Sequence, residues 1–184
     1  VYDPTSVLRL LGAEYIPDIL AGQIWRFVTP SFLHAGFFHL ILNMWALYHL
    51  GGAIETFYGQ KKLLTVYVLT GITGSVLSVG FSLISLYLDN GTRGFPISVG
   101  SSAAVFGFVG LLIGNKFKKN TYSVSIDNYI NTSQLWFFVG INILFGLGIN
   151  GLGGSFAINN IAHIGGFLGG FILGLILDLI NTTY

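Results

Sequence analysis

Five apolar runs, each close to the length of a membrane span, dominate this chain. They lie at about 37–57, 63–88, 99–115, 134–150 and 160–180, and a helix needs about 20 apolar residues to cross a hydrocarbon core roughly 30 Å thick. The runs are too long, and too poor in alternating polar residues, to be strands of a membrane barrel. Charged residues make up 8% of the 184 positions and mean hydropathy is +0.75, whereas an ordinary soluble domain is about 25% charged. The expectation is an all-α polytopic membrane protein, a helical bundle held in a lipid bilayer.

Composition narrows the chemistry. Eight Lys and Arg face seven Asp and Glu, and no basic stretch carries the interleaved aromatics of a nucleic-acid groove, so nucleic acid is excluded as a partner. The absence of cysteine removes disulfides, thiolate zinc sites and a thiol nucleophile. There is no His-Glu-x-x-His pair for zinc and no pair of aspartates within the runs, so no metal and no cofactor is expected. Four histidines and the hydroxyls remain. Residues 1–30 carry Asp3, Arg9, Glu14, Asp18 and Arg26 among short apolar clusters and lack the pattern of a signal peptide. The chain reads as a single membrane domain, 1–184, with an outer-side interfacial segment and loop at 1–36 and a five-helix bundle at 37–184. It begins at Val1 and its one methionine is Met44, the expectation being a fragment or a processed chain.

Orientation follows from the basic residues. Lys61 and Lys62 separate the first and second runs, and Lys116, Lys118 and Lys119 separate the third and fourth, which places those loops on the cytoplasmic side. The opposite loops, Asp89 to Pro96 and Asn150 to Asn160, hold one cation, Arg93. The first, third and fifth runs therefore all pass from outside to inside. His39 and Asn43, Ser101 and Ser102, and His163 fall near the starts of those three runs, toward the outer leaflet. Ser102 and Lys116 are 14 residues apart, about 21 Å of helix, which sets Ser102 on the order of 10 Å below the outer hydrocarbon boundary. His163 and Asp178 give a similar depth. Ala103, Gly107, Gly110 and Gly114 form one stripe of small residues and Gly166, Gly170 and Gly174 another. Stripes of this kind let two backbones approach closely, which would bring Ser102 and His163 within hydrogen-bonding range. The Gly151, Gly153, Gly154 loop at 151–160 is expected to be mobile.

A serine and a histidine at one depth on adjacent helices suffice for acyl transfer, with His163 as proton acceptor and donor and Ser102 as nucleophile. Oxyanion donors are at hand in the Ser102 amide at a helix start, the Asn43 side chain and a His39 ring N–H. A lone membrane serine more often bonds its own helix, and it is the convergence with an ionisable residue, costly in lipid, that favours chemistry. His49 lies ten residues beyond His39, about 15 Å deeper, and is read as a hydrogen-bonded interhelical residue.

These residues resemble the rhomboid family of intramembrane serine proteases. The resemblance runs from Trp25-Arg26 to the end of the chain, through His34-Ala35-Gly36-Phe37-Phe38-His39-Leu40-Ile41-Leu42-Asn43, Gly51-Gly52 with Glu55, Gly100-Ser101-Ser102-Ala103 and Ala162-His163-Ile164-Gly165-Gly166. It implies a catalytic dyad of Ser102 and His163 without a third acid, and an oxyanion hole of His39, Asn43 and the Ser102 amide. It also implies stacking of Phe106 on the catalytic histidine. His34 and Arg26 would support the outer loop, Glu55 would make an inner-end contact, and Ser101 would serve packing or a local backbone bond. Ala103 stands where many members have Gly, a small-for-small change expected to preserve close packing. The family core has six membrane helices against five here, and the missing first is expected upstream of Val1.

The implied activity is hydrolysis of peptide bonds in or next to transmembrane segments of membrane proteins, with an active site toward the outer leaflet; a bacterial plasma membrane is the expectation from the compactness of the chain and its lack of appended domains. The alternative is a non-catalytic rhomboid-like protein that binds membrane helices for trafficking or degradation. A channel would call for charged residues along a pore or an internal repeat, and neither is visible.

Overall fold

The computed structural model describes residues 3–88, 90, 95–118, 133, 137, 139, 140, 142 and 159–177. Helices α1 (Pro4–Leu11) and α2 (Ile16–Leu20) and two short 3₁₀ turns, Ile24–Phe27 and Thr29–Phe32, make up the outer segment. Then come α3 (Phe37–Tyr58), α4 (Gln60–Leu88), α5 (Ser102–Lys116) and α6 (Asn160–Ile176). Four of the five predicted runs are thus helices. The fourth run, the mobile loop expected at 151–160 and Lys119 lie almost wholly outside the described residues.

Helices α3 and α4, at 22 and 29 residues, are long and apolar enough to cross a membrane. Helix α5 has 15 residues, about 22 Å of rise against a core of roughly 30 Å. It begins only at Ser102, three residues after the start of the apolar run at 99. The cytoplasmic loop expected between the first two runs shrinks to Gly59, whose φ of 82° is open to glycine at little cost. Lys61 and Lys62 consequently lie in the first turn of α4, not in a loop.

The outer segment is built around Arg26, which is 5% exposed. Its guanidinium donates to the carbonyls of Arg9 and Ala13 at 2.8 and 2.6 Å and to Gln23 Oε1 at 2.8 Å, and it pairs with Asp18 at 3.2 Å. Arg9 adds a forked contact to the same carboxylate, and these charges hold Asp18 below the usual carboxylate range, the Arg9 hydrogen bond first. Helix α1 is capped by Asp3 and ends at Gly12, φ 104°, leaving Val7, Leu10 and Leu11 exposed.

Helix α5 occupies the centre of the bundle: all of it is buried except Phe106, Ile113 and Lys116. Val105, Phe108, Val109, Leu111 and Leu112 pack with Ala46, Leu50, Ile54 and Tyr58 of α3 and Val66 of α4. Small residues set the helix spacing. Gly166, Gly170 and Gly174 of α6 lie against the backbone at Ala103, Gly107 and Leu111, and Gly110 and Gly114 against the carbonyls of Phe167 and Phe171. A second glycine face, Gly165 and Gly169, seats α6 on Thr73 and Gly74 of α4. The Ala103 methyl is received by Gly74, so the extra carbon is accommodated across the interface. Lys118 Nζ donates to the Leu177 carbonyl at 2.6 Å, joining the C-terminal ends of α5 and α6 and leaving their starts together at the other end.

Candidate active site

Ser102 is the first residue of α5 and His163 the fourth of α6. With the two helices parallel and glycine-spaced, Ser102 Oγ lies 2.7 Å from His163 Nε2, both residues being buried at 9% and 6% exposure. When Nε2 accepts the serine proton, the ring carries its own hydrogen on Nδ1. Asn159 caps α6, its Oδ1 accepting from the Ala162 amide at 3.0 Å, and so fixes the turn that holds His163. The Phe106 ring, one turn after Ser102, stacks on the imidazole with centroids 4.5 Å apart and planes 10° apart.

His39 and Asn43 share one face of α3 one turn apart. His39 Nδ1 accepts weakly from the Ala35 amide at 3.4 Å, which leaves the proton on Nε2. That nitrogen lies above Gly100: a Cβ built there would stand 2.8 Å from His39 Nε2 and 3.7 Å from Ser102 Oγ. Asn43 is 3% exposed and spends one of its two N–H groups on the His39 carbonyl at 2.9 Å, with the second left over. Because α5 starts at Ser102, its amide has no partner four residues back within that helix. The residues named from the sequence thus gather at one end of the bundle. An arrangement of this kind can transfer a proton between serine and imidazole and offer N–H donors beside the serine oxygen.

His34 lies closer to this cluster than a purely loop-supporting residue would. Its ring is edge-on to His39 at 5.2 Å and its Nε2 is 3.5 Å from Ser101 Oγ. Burial, followed by the neighbouring His39, pushes its pKa down to about 4. Ser101, wholly buried, therefore faces a side chain of the cluster as well as serving packing. Two expectations differ from the structure. His49 is exposed, edge-on to Trp45 and Tyr48 of its own helix, with no hydrogen bond to it among the described residues. The Glu55 side chain is likewise exposed, on the outward face of α3.

Sequence reasoning missed the polar group that joins the buried Glu14 and Ser78 to the half-buried Ser98 and Asn159. An asparagine just before an apolar run is a recognisable N-cap signal for Asn159. Nothing local marks Glu14.

A family model described as the Rhomboid domain matches residues 21–179. Among curated proteins, "Rhomboid-like protease 3" of Toxoplasma gondii is 35% identical over 168 residues, covering 91% of this chain and 57% of that protein. "Rhomboid protease GluP" of Bacillus subtilis (strain 168) is 36% identical over 170 residues, 89% of this chain and 28% of that protein. "RHOMBOID-like protein 7" of Arabidopsis thaliana is 36% identical, covering 89% and 46%. The chain thus spans about half, or less, of the length of these relatives. Their range of organisms does not single out the bacterial plasma membrane expected from the sequence. A family match over residues 21–179, a range that takes in α3 to α6, makes the chain a member of the rhomboid family.

Proposed function

We propose that the protein is an intramembrane serine protease that hydrolyses peptide bonds in or next to transmembrane segments of membrane proteins. The observation that carries this reading is the 2.7 Å contact between the buried Ser102 Oγ and His163 Nε2 on parallel, glycine-spaced helices. His163 takes the Ser102 proton as Oγ attacks the scissile carbonyl, forming the tetrahedral oxyanion. The Ser102 amide, the free N–H of Asn43 and the Nε2–H of His39 donate to that oxyanion; losing one such donor typically costs about 3 kcal/mol of transition-state stabilisation. Collapse of the intermediate passes the proton from His163 to the leaving amine. Water then attacks the acyl-enzyme with His163 again as base. Phe106 holds the imidazole in the plane that serves both partners. No metal or cofactor enters these steps.

Relatives named as proteases support the assignment. The substrate class is the one that the family resemblance implies, with small residues expected near the scissile bond. The test is reconstitution of the full-length protein in lipid with a single-span substrate, beside Ser102→Ala and His163→Ala. Cleavage by the parent, abolished in both variants, is the expected result. A folded parent that cleaves nothing, or a Ser102→Ala variant that cleaves equally well, would replace this reading by that of a helix-binding protein.

A further inference from the structure

Apart from that site, the bundle buries an acid. Glu14, in the outer segment, is 5% exposed and pairs backbone to backbone with Ser98, with N to O distances of 3.0 and 3.1 Å. Its Oε1 accepts from Ser78 Oγ of α4 at 2.5 Å. Ser78 Oγ accepts from Asn159 Nδ2 at 2.6 Å, and the same nitrogen donates to Ser98 Oγ at 3.2 Å. Asn159 Oδ1 in turn accepts from the amide of Ala162, the residue before His163.

The direction of every hydrogen in this relay is set. The Ala162 N–H points to Asn159, the Asn159 N–H to Ser78, and the Ser78 O–H to Glu14. Only an acceptor can end such a chain. Without one, the Ser78 hydroxyl turns to a carbonyl of its own helix, as membrane serines do, and its lone pairs leave the Asn159 amide. Among the described residues the groups that meet the carboxyl are the neutral hydroxyls of Ser75 and Ser78 on α4, with Ser98 and Asn159 next in the relay. Arg26, which reaches the Ala13 carbonyl beside it, is occupied by Asp18, Gln23 and the Arg9 carbonyl. Burying a carboxyl with no cation beside it among the described residues costs free energy that an apolar side chain of similar size would not. Stability alone therefore does not account for an acid here. The same residue also pairs with Ser98, four positions before Ser102, and so touches the approaches to both reacting groups.

We infer that Glu14 is a positioning residue, which through Ser78 and Asn159 sets the first turn of α6 and with it the place of His163 against Ser102. The inference rests on the protease reading for its consequence in catalysis, but not for its geometry.

The test compares the full-length parent with Glu14→Leu, Glu14→Gln and Ser78→Ala in proteoliposomes, measuring kcat and KM on a single-span substrate and, on the same samples, hydrogen exchange across 159–163. Glu14→Leu is expected to lower kcat about tenfold with KM unchanged and to speed exchange at the start of α6 by about fivefold to tenfold, as loss of a helix cap does. Glu14→Gln keeps a carbonyl acceptor for Ser78 and is expected to restore both. Where Glu14→Leu does not fold, Ser78→Ala interrupts the relay with Glu14 in place and is expected to give the same two changes. Unchanged exchange in the folded variants overturns the inference, as does failure of Gln to rescue. If exchange responds but the parent cleaves nothing, it is the protease reading that fails, and the hold of Glu14 on α6 stands.

Discussion

The phenyl ring of Phe106 lies parallel to the imidazole of His163, 4.5 Å away, while the imidazole edge meets Ser102. The two contacts constrain different freedoms: stacking fixes the ring plane, and the hydrogen bond selects the rotation within it. A histidine held only by its bond to the serine could tilt whenever that proton moved.

Replacing Phe106 by Leu keeps an apolar side chain but removes the flat partner. The variant is expected to fold, to bind substrate with an unchanged KM and to lose about tenfold or more in kcat, whereas Phe106→Tyr retains most of it. Steady-state kinetics in proteoliposomes decide this. A Leu variant with parental kcat would leave Phe106 as a filler of the bundle core.

Gly100 lies between His39 and Ser102 in a backbone conformation with φ of 128°, which L side chains rarely adopt. Gly100→Ala combines that strain with a Cβ at 2.7 Å from His39 Cε1, so the ring must move. The expected outcome is slower labelling of Ser102 by a fluorophosphonate, by about tenfold to a hundredfold, with the protein still folded. Labelling at the parental rate would show that the position of His39 does not matter to the reactivity of Ser102.

The glycines of the bundle are expected to divide by what they face. Gly170 lies on the Gly107 carbonyl with no room for a methyl group, and Gly170→Ala should destabilise by about 1–3 kcal/mol through overpacking. Gly80 of α4 has nothing within 4 Å among the described residues, and Gly80→Ala should be neutral or stabilise by about 0.5–1 kcal/mol. Thermal melts in detergent separate the two, and equal melting temperatures would mean that α5 and α6 are not in close contact.

That division also marks how far the chain could be read before its structure was known. Hydropathy alone delimits the four described membrane helices to within a few residues, because burial in lipid demands continuous apolar length. The repeat of Gly166, Gly170 and Gly174 against Ala103 and Gly107 is legible because helical contacts recur every three or four residues. It also accounts for Ser102 meeting His163. Gly165 and Gly169 went unread because a helix touching two neighbours carries two superposed repeats. The one-residue turn at Gly59 was hidden because Lys61 and Lys62 look like loop residues by charge, although nothing prevents a helix from starting with them. The contacts of Glu14 obey no period: Ser78 and Asn159 are 64 and 145 positions further on, and only the folded chain brings them together.

Glu14 should also leave a trace in the pH dependence of stability. Burial pushes its pKa up from 4.5 to about 7, against the lowering effect of the Ser78 and Ser75 hydroxyls. Between those values the folded protein holds a proton that the unfolded chain has released, so stability is full below about pH 4.5 and falls as pH rises to about 7. The span corresponds to about 3 kcal/mol at most. His34, pushed down to about 4, works in the opposite sense, gaining stability as pH rises from 4 toward its ordinary value of 6.5. Its contribution is common to parent and variant, so the difference between the parent and Glu14→Gln isolates the acid. Melting temperatures in detergent from pH 4.5 to 8 should show the parent losing about 5 °C or more relative to Glu14→Gln across that range. Parallel curves would mean that Glu14 is ionised, or protonated, alike in both states, and that its carboxyl is not confined among the hydroxyls of α4.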